Sequence, residues 1–453
     1  MEEHFRMSMM PAWERFIKDL SEYFSENSSK DCDLWKMEMR LLKAVMAFAV
    51  EVLVMLIELV HGRGYEGARR SCPGCGGVMR FERYQGRQMT SGFGAFRYAR
   101  AYYHCQGCHQ GYCPLDERLG VGRRSVTPRL GRLISFLAGH LSFGVVEEAL
   151  KESHQLKVSR EAVRLVAEES GNNALEWERS EEERLRKNEM VERAAAGGGQ
   201  DGSRRGAKTW IIECDGKKVG YQDGSWHEVK VGVIYELGDR VRVSKGRQEL
   251  IKREIVARQC GWEEFSDLFW TSMQRSGVRD GDRLVALADG AEAMEQIFAM
   301  VAPEATRVRD FYHVAERIHA IGEVRFGETG ERQCWTRIQL HKLKRSEVGA
   351  VLRSIKHLKL PTAEAAETRR QVVQYLEKNR YAMNYASYKR KGWPLGSGAV
   401  EGGCRQIGAR TNGCGRRWRE HGCNAIVALR VAVLNDRLEL LLPKPKQLHQ
   451  EAA

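Results

Sequence analysis

WIIECDG at residues 210–216 and LVALADG at residues 284–290 are the two stretches that decide the fold of this chain. Each is a run of apolar and β-branched residues that closes on an Asp-Gly pair, so each predicts a buried strand that stops at the aspartate. Further strands are predicted at 229–235 and 306–310, with helical patterns between them. Because strands and helices alternate, the sequence predicts an α/β domain with a mixed sheet.

A third stretch, GSGAVEG at residues 396–402, predicts a loop that opens into a helix and carries Glu401. With Asp215 and Asp289 it makes three carboxylates, and Mg²⁺ prefers carboxylate oxygens while it keeps several waters. Two such ions roughly 4 Å apart can hold the attacking and leaving oxygens of a phosphodiester displacement. The three acids are therefore a candidate two-metal site. The alternative is that each Asp-Gly pair is an ordinary turn.

The chain is long enough for several domains and carries excess positive charge. It has 453 residues, with 73 Lys and Arg against 60 Asp and Glu. The excess is concentrated at 61–140 and 389–419, whereas residues 1–60 hold 11 acidic and 7 basic side chains. Concentrated positive charge favours a polyanionic partner, so the two basic blocks are candidate nucleic-acid surfaces. Solvated surface charge is the alternative.

The sequence predicts neither a secretory signal nor a membrane span. The first residues lack a basic start and an apolar core. The longest apolar run, 44–60, carries Glu51 and Glu58 at helical spacing, which predicts a core-facing helix. We therefore expect a cytoplasmic protein, located at the bacterial nucleoid, whose 12 cysteines are reduced.

Two cysteine pairs predict a structural zinc ribbon. Cys72 and Cys75 form one CxxC pair, and Cys105 and Cys108 form a second one, with 29 residues between the pairs. Two such knuckles supply four thiolates for tetrahedral Zn²⁺. The residues between them, 80–103, alternate as a β-hairpin would. One alternative is a redox-active CxxC pair. The other is that a nearby donor replaces one of the four ligands; the nearby donors are His104, His109 and Cys113.

Three short helical patterns follow, at 132–140, 145–153 and 159–169. Ser159 can cap the third helix, and a polar turn separates it from the second. This order is typical of a helix-turn-helix, in which Arg160 and Arg164 would face DNA. A plain helical bundle is the alternative. A separate charged helix is predicted at 175–195, followed by a Gly-rich linker at 197–203.

From about residue 70 to 435 the chain resembles the ISKra-type insertion-sequence transposases, which belong to the DDE superfamily with an RNase H-like core. The resemblance rests on the motifs that contain Asp215, Asp289 and Glu401. It also rests on WHEVKVG at 226–232, DFYHV at 310–314, and GRRW at 415–418. Relatives often have an aromatic residue, usually Trp, shortly after the second motif, whereas this chain has Ala293 and Met294.

The resemblance implies that Asp215, Asp289 and Glu401 are the metal-binding catalytic residues. It also implies an all-α insertion between the second Asp and the Glu. Asp310 and His313 would support the site, and Arg405 would pair with Glu401 or contact a phosphate. The remaining predicted contacts are with the DNA backbone, and they come from Arg410, Arg416 and Arg417.

The fold expected from these observations is a multidomain α/β protein. An RNase H-like mixed sheet with an all-α insertion would follow a zinc ribbon and a helix-turn-helix. The predicted domains and connecting segments begin with an N-terminal helical region and end with a tail. In that order they are 1–67, 68–118 (zinc ribbon), 119–172 (helix-turn-helix), 173–206 (charged helix and linker), 207–319 with 391–440 (catalytic domain), 320–390 (insertion) and 441–453.

The expected function is that of a DNA transposase, which cuts at transposon ends and joins them to target DNA. Its cofactors would be two catalytic Mg²⁺ or Mn²⁺ ions and a structural Zn²⁺. Its partners would be double-stranded DNA, as terminal inverted repeats and target, and further copies of the chain in a homodimer or larger assembly, with no membrane. Two alternatives are a zinc-dependent DNA-binding protein without catalysis (a regulator or an inactivated transposase) and a nuclease that cuts without joining.

Overall fold

A computed structural model describes residues 2–26, 33–195, 206–244, 247–413 and 415–441. The predicted Gly-rich linker and all but the first residue of the predicted tail lie outside these residues. The chain forms two compact units, which divide between Asn173 and Ala174. Unit 1 contains the residues before this point together with 438–441, and unit 2 contains residues 174–437. The protein is thus a multidomain chain of mixed α and β structure.

Unit 1 begins with two long helices, continues with a small sheet, and ends with shorter helices. Its elements are α1 (Glu2–Glu26), α2 (Leu34–His61), β1 (Arg69–Ser71), β2 (Val78–Ser91), β3 (Gly94–Cys105), β4 (Gly111–Tyr112), α3 (Pro114–Arg118), α4 (Pro128–His140), α5 (Phe143–His154) and the first part of α6 (Arg160–Ala195). The four strands form an antiparallel sheet in the order β1-β2-β3-β4. The predicted hairpin between the cysteine pairs is confirmed as β2 and β3.

Helix α2 contacts this sheet through its C-terminal half only. Val50, Leu53 and Ile57 pack on Met89 and Phe96. By length and composition α2 could also cross a membrane, and only 11% of its most apolar window is buried. The predicted helix is therefore present, but it faces the core of unit 1 only in part, because most of its apolar window is not buried.

The three helices predicted after the cysteine pairs are present as α4, α5 and the start of α6. The Ser159 hydroxyl accepts from the Ala162 amide at 3.2 Å, as expected for a cap. However, α6 runs without a break to Ala195, where two separate helices were predicted. Gly171 and the two asparagines after it cost the helix roughly 1 kcal/mol or less each. Burial of Ser170 and Ala174 on either side offsets that cost.

Unit 2 is a five-stranded sheet with helices on both faces. After the rest of α6, its elements are β5 (Thr209–Gly220), β6 (Trp226–Glu236), β7 (Arg240–Ser244), β8 (Arg247–Leu250), β9 (Glu254–Arg258), α7 (Trp262–Ser276), β10 (Arg283–Ala288), α8 (Glu292–Val301), β11 (Thr306–Arg309), α9 (Phe311–Phe326), α10 (Gly330–Lys344), α11 (Val348–Lys356), α12 (Ala363–Asn379), α13 (Tyr385–Arg390), α14 (Gly398–Thr411) and α15 (Glu420–Leu434). The strand order is β11-β10-β5-β6-β9.

In this sheet β6 and β9 continue β5 as an antiparallel meander, whereas β10 and β11 run parallel to β5. Because side chains alternate along a strand, β5 faces two layers. Trp210, Ile212 and Cys214 pack in the core with α7 and α8. The residues between them face α14. A Cβ added at Gly403 would lie 3.2 Å from the Val231 side chain, so α14 lies close against the sheet.

One predicted strand boundary is wrong. The strand that begins at Thr209 does not stop at Asp215-Gly216, because β6 pairs with it in register up to Gly220. Only the parallel neighbour stops, since the last β10 residue paired with β5 is Leu287, opposite Glu213. Asp215 therefore lies within β5, just beyond the part that β10 covers. Asp289, in contrast, directly follows β10 as predicted.

The predicted helical block at 320–390 is present as the end of α9 and α10 to α13. These helices bond to the end of β11 through buried polar groups. The Arg309 side chain, 1% exposed, donates to the Asn379 side chain at 2.5 Å. The Tyr385 hydroxyl donates to the Arg309 carbonyl at 3.0 Å. This block is thus tied to the strand that precedes Asp310.

Candidate metal centres

The four predicted cysteines of unit 1 converge on one point. All four Sγ atoms lie within 4.8 Å of one another. The Cys72–Cys108 and Cys75–Cys105 sulfur pairs are each 3.6 Å apart. Tetrahedral Zn²⁺ with Zn–S bonds of about 2.3 Å requires sulfurs about 3.8 Å apart. The donor set and its spacing therefore fit a structural zinc ion.

Backbone turns hold the two knuckles. The Gly76 amide donates to the Cys72 carbonyl at 2.9 Å, and the His109 amide donates to the Cys105 carbonyl at 3.0 Å. Both turns need a positive φ, which is 73° at Gly76 and 57° at His109. Amide donation, first from Cys108, lowers the pKa of the Cys105 thiol to about 6. This favours the thiolate form that binds a metal.

The alternative donors near the knuckles stay outside this group. The rings of His104 and His109 lie 5.9 Å apart and contact each other. Cys113 is the N-cap residue of α3, and burial raises the pKa of its thiol. Among the described residues, the convergent set here consists of the four knuckle cysteines alone.

Three aspartates lie at matching positions of neighbouring strands, at one edge of the sheet in unit 2. Asp289 comes directly after β10, and the Asp310 amide donates to the Ala288 carbonyl at 3.1 Å. Asp215 lies two residues after Glu213, whose partner in β10 is Leu287. Since parallel strands in register present matching residues to the same face, Asp215, Asp289 and Asp310 lie on neighbouring strands at the same level.

Helix α14 brings Glu401 to this edge, and β5 fixes the start of the helix. Glu213, which is fully buried, accepts from the Tyr235 hydroxyl at 2.8 Å and from the Val400 amide at 2.9 Å. One turn further along, the Cys404 thiol lies 3.6 Å from Asp215 Oδ2. Glu401 lies between these two contacts on the helix. Apart from its acidity, no feature of the sequence pointed to this role of Glu213.

The structure brings Glu401 together with the two residues predicted to support the site. Ligand atoms of Asp310, His313 and Glu401 all lie within 4.8 Å of one another. Asp215 and Asp289 are not members of this group. Their carboxylates accept from nearby backbone instead, at 2.7 Å from the Gly216 amide and 2.8 Å from the Ala291 amide.

Asp310, predicted to support the site, has a structural role. Its Oδ1 accepts from the amides of Tyr312 at 2.6 Å and His313 at 3.1 Å, which caps α9. Its Oδ2 accepts from the amide of Ser397 at 2.5 Å and from the Ser397 hydroxyl. A carboxylate has about four acceptor positions, and these four donors fill them. Asp310 therefore positions its neighbours, and His313 and Glu401 keep more capacity to bind a cation.

The arginines predicted to contact DNA differ in their exposure and in whether other side chains already pair with them. Arg405 is exposed and pairs with Glu401 at 3.3 Å, as expected. Arg160 and Arg417 are exposed, and Arg417 lies over the Trp226 ring at 5.4 Å. Arg164 is bound by Glu161 and Glu168 on its own helix.

Arg410, in the last turn of α14, and Arg416, in the loop after that helix, contact other parts of the protein. The Arg416 side chain donates to the carbonyls of Ala409 and Arg410, each at 2.9 Å. The expected phosphate contact of Arg410 is wrong in this conformation, because Arg410 is 1% exposed and lies over the Trp418 ring at 5.2 Å. Burial lowers the pKa of Arg410 to about 9. The burial of Arg410 against the Trp418 ring could not be read from the charge pattern.

Replacing Glu213 by Gln is expected to change how stability depends on pH. Burial raises the pKa of Glu213 from its ordinary value of 4.5 to about 7. Between these values the folded protein keeps the proton that the unfolded chain releases. The contribution of Glu213 to the free energy of unfolding therefore falls as pH rises from about 4.5 to about 7, by at most about 3 kcal/mol. Urea unfolding at both ends of this range should show the wild type losing more stability than the variant; equal losses would contradict the assignment.

Zinc is expected at about one ion per chain. Replacing Cys75 by Ser removes one thiolate, so the variant should lose its zinc and unfold at a lower temperature. Cys113→Ser is the matched control, since Cys113 lies in the same segment but outside the convergent group. Elemental analysis and thermal unfolding measure both effects. Full zinc in the first variant, or loss of zinc in the control, would refute the site.

Comparison with known proteins gives a family but no function. No curated protein matches the chain. The sequence profile of the uncharacterised protein family UPF0236 matches residues 29–439, which is most of the chain. The matched range includes both candidate metal centres, and no activity is named for the family. The chain therefore belongs to the uncharacterised protein family UPF0236.

Proposed function

We propose that this protein is a metal-dependent DNA transposase of the DDE type, similar to the ISKra-type enzymes. One observation carries the proposal. Asp215 and Asp289 lie at the same level on neighbouring parallel strands, and α14 holds Glu401 against the same face. Three carboxylates on one sheet edge are the donor set that a pair of Mg²⁺ or Mn²⁺ ions needs.

The topology of unit 2 supports an RNase H-like core. In that fold a meander of three antiparallel strands is extended by two strands parallel to the first. The order β11-β10-β5-β6-β9 and the strand directions agree with this description. The helical block between Asp289 and Glu401 agrees with the all-α insertion that the resemblance implies. Topology supports a fold and not an activity, so the site must carry the function.

Bound Mg²⁺ or Mn²⁺ ions would supply activation of a water or a 3′-hydroxyl and stabilisation of charge on the phosphate. Asp215, Asp289 and Glu401 would hold them. Each of the two aspartates accepts one backbone amide through Oδ1, which leaves acceptor positions on the carboxylate for a cation. His313, which lies beside Glu401, would accept or donate a proton at the reacting oxygen, while Asp310 keeps both residues in place.

The exposed cations around this edge would bind the DNA backbone. Arg405 is one turn from Glu401 and 81% exposed, so it can leave Glu401 for a phosphate at little cost. Arg417 is exposed on the loop that follows α14. In unit 1, Arg160 at the start of α6 would contribute to the recognition of transposon ends, with the zinc segment as its rigid support.

Replacing Asp289 by Asn tests the catalytic assignment. The amide can still accept the hydrogen bond from Ala291, so the fold should be kept, but it is a much poorer cation ligand. We expect Mn²⁺-dependent cleavage of DNA to fall at least about a hundredfold, because several kcal/mol of charge stabilisation is removed. Asp280→Asn, in the exposed turn before β10, is the matched control and should cleave normally. Cleavage at the wild-type rate by Asp289→Asn would refute the proposal.

One observation favours a second candidate, a zinc-dependent DNA-binding protein without catalysis. The convergent acidic group contains Glu401 but neither Asp215 nor Asp289. Incubation of the protein with Mn²⁺, end-sequence DNA and a target plasmid separates the candidates. Joined products support the transposase, and cut ends without joining indicate a nuclease. DNA that is bound but uncut supports the second candidate.

A further inference from the structure

The two N-terminal helices expose an unusual amount of apolar surface. Eleven of their large apolar side chains are between 41% and 71% exposed. They are Met7, Met10, Trp13, Ile17 and Phe24 in α1, and Leu34, Trp35, Met37, Leu41, Val45 and Val60 in α2. Soluble monomers rarely leave so large a contiguous apolar area in water, so this surface is expected to have a partner.

Eight of these residues form one apolar stripe, defined here as Met10, Trp13, Ile17 and Phe24 with Leu34, Met37, Leu41 and Val45. In α1 the spacing is 3, 4 and 7 residues, which is the spacing of a coiled-coil seam. In α2 it is 3, 4 and 4, which also keeps the residues on one side of a helix. The two helices pack against each other, since the Trp13 ring of α1 contacts the Phe48 ring of α2 at 6.0 Å.

The two helices form an antiparallel hairpin, in which the residues of the stripe stay 41% to 71% exposed. Ion pairs join Asp19 to Arg40 near one end of the hairpin and Arg15 to Glu51 further along. The sheet does not cover the stripe, because α2 contacts β3 with other residues, among them Leu53 and Ile57. A two-helix hairpin with an open apolar side lacks the second layer that a helical bundle requires.

Charge excludes two classes of partner. Residues 1–60 carry four more acidic than basic side chains, so this hairpin repels nucleic acid and anionic lipid surfaces. A bilayer interior is also unsuitable. The Arg15–Glu51 pair is 62% and 41% exposed and projects from the same two helices, and each charge moved into hydrocarbon costs at least roughly 2.5 kcal/mol.

We propose that the apolar stripe binds the same stripe of a second copy of the chain and closes an antiparallel four-helix bundle. A twofold dimer needs one surface that is complementary to itself, and an apolar seam without charges at its centre meets this condition. The stripe exposes roughly 700 Å² per copy, close to the ~800 Å² that each partner contributes to a standard interface. Helices of 25 and 28 residues give a bundle roughly 40 Å long.

This inference does not rest on the proposed activity, although a transposase that joins two DNA ends would use such a dimer. It can be tested without DNA. Sedimentation of the full-length wild-type protein should give twice the mass of one chain. Ile17→Glu places a carboxylate in the centre of the seam, and we expect the dissociation constant of the dimer to rise at least roughly tenfold to a hundredfold.

Ile338→Glu is the matched control. Ile338 lies on helix α10 and is 45% exposed, as Ile17 is, but it is far from the stripe in sequence and in a different unit. The control should stay dimeric. Zinc content and thermal unfolding show whether each variant is folded, and Leu41→Glu, on the other helix, replaces Ile17→Glu if that variant unfolds.

Three results would overturn the proposal. The first is a wild-type protein that is monomeric at micromolar concentration. The second is a folded Ile17→Glu or Leu41→Glu variant that dimerises as tightly as the wild type. The third is a wild type that floats with phosphatidylcholine vesicles while Ile17→Glu does not, which would assign the stripe to a membrane surface.

Discussion

The buried carboxylate of Asp310 is the interaction on which the candidate acidic site depends. It accepts from two amides at the start of α9 and from the amide and hydroxyl of Ser397, which precedes α14. These segments are far apart in sequence, and the helical block lies between them. One fully buried group therefore fixes both the end of β11 and the entry of the helix that carries Glu401. An unsatisfied buried carboxylate would be costly, so the two segments are held together.

Glu213 completes this arrangement from the other side. It binds the Val400 amide, while Asp310 binds Ser397, so two buried carboxylates fix the first turn of α14. The positive end of the helix dipole faces both of them. The position of Glu401 is thus set by the carboxyl groups of Glu213 and Asp310, all of whose oxygens accept hydrogen bonds. Loss of either contact would move Glu401 without removing any ligand.

The sequence predicted those parts of the fold that local pattern determines. The apolar runs before Asp215 and Asp289, the two cysteine pairs and the cap at Ser159 all act over a few residues. The extension of β5 beyond Gly216 could not be predicted, because its cause is pairing with β6. The continuity of α6 through Gly171 and the burial of Arg410 likewise depend on neighbours that only the folded chain supplies. The role of Glu213 depends in the same way on the Val400 amide, which lies beside it only in the folded chain.

Only some of the basic residues after Glu401 are exposed, and this limits the surface that a polyanion could contact. That segment has a strong positive charge in the sequence, yet Arg410 is buried and Arg416 bonds the carbonyls that end α14. Under the proposed function, the electrostatic contribution of this segment to DNA binding would come mainly from the side chains that remain in water, Arg405, Arg417 and Arg419. Charge counted along a chain overestimates the charge that a partner can reach, because the fold buries some charged side chains and bonds others. In this segment Arg410 is buried and Arg416 is bonded to backbone carbonyls.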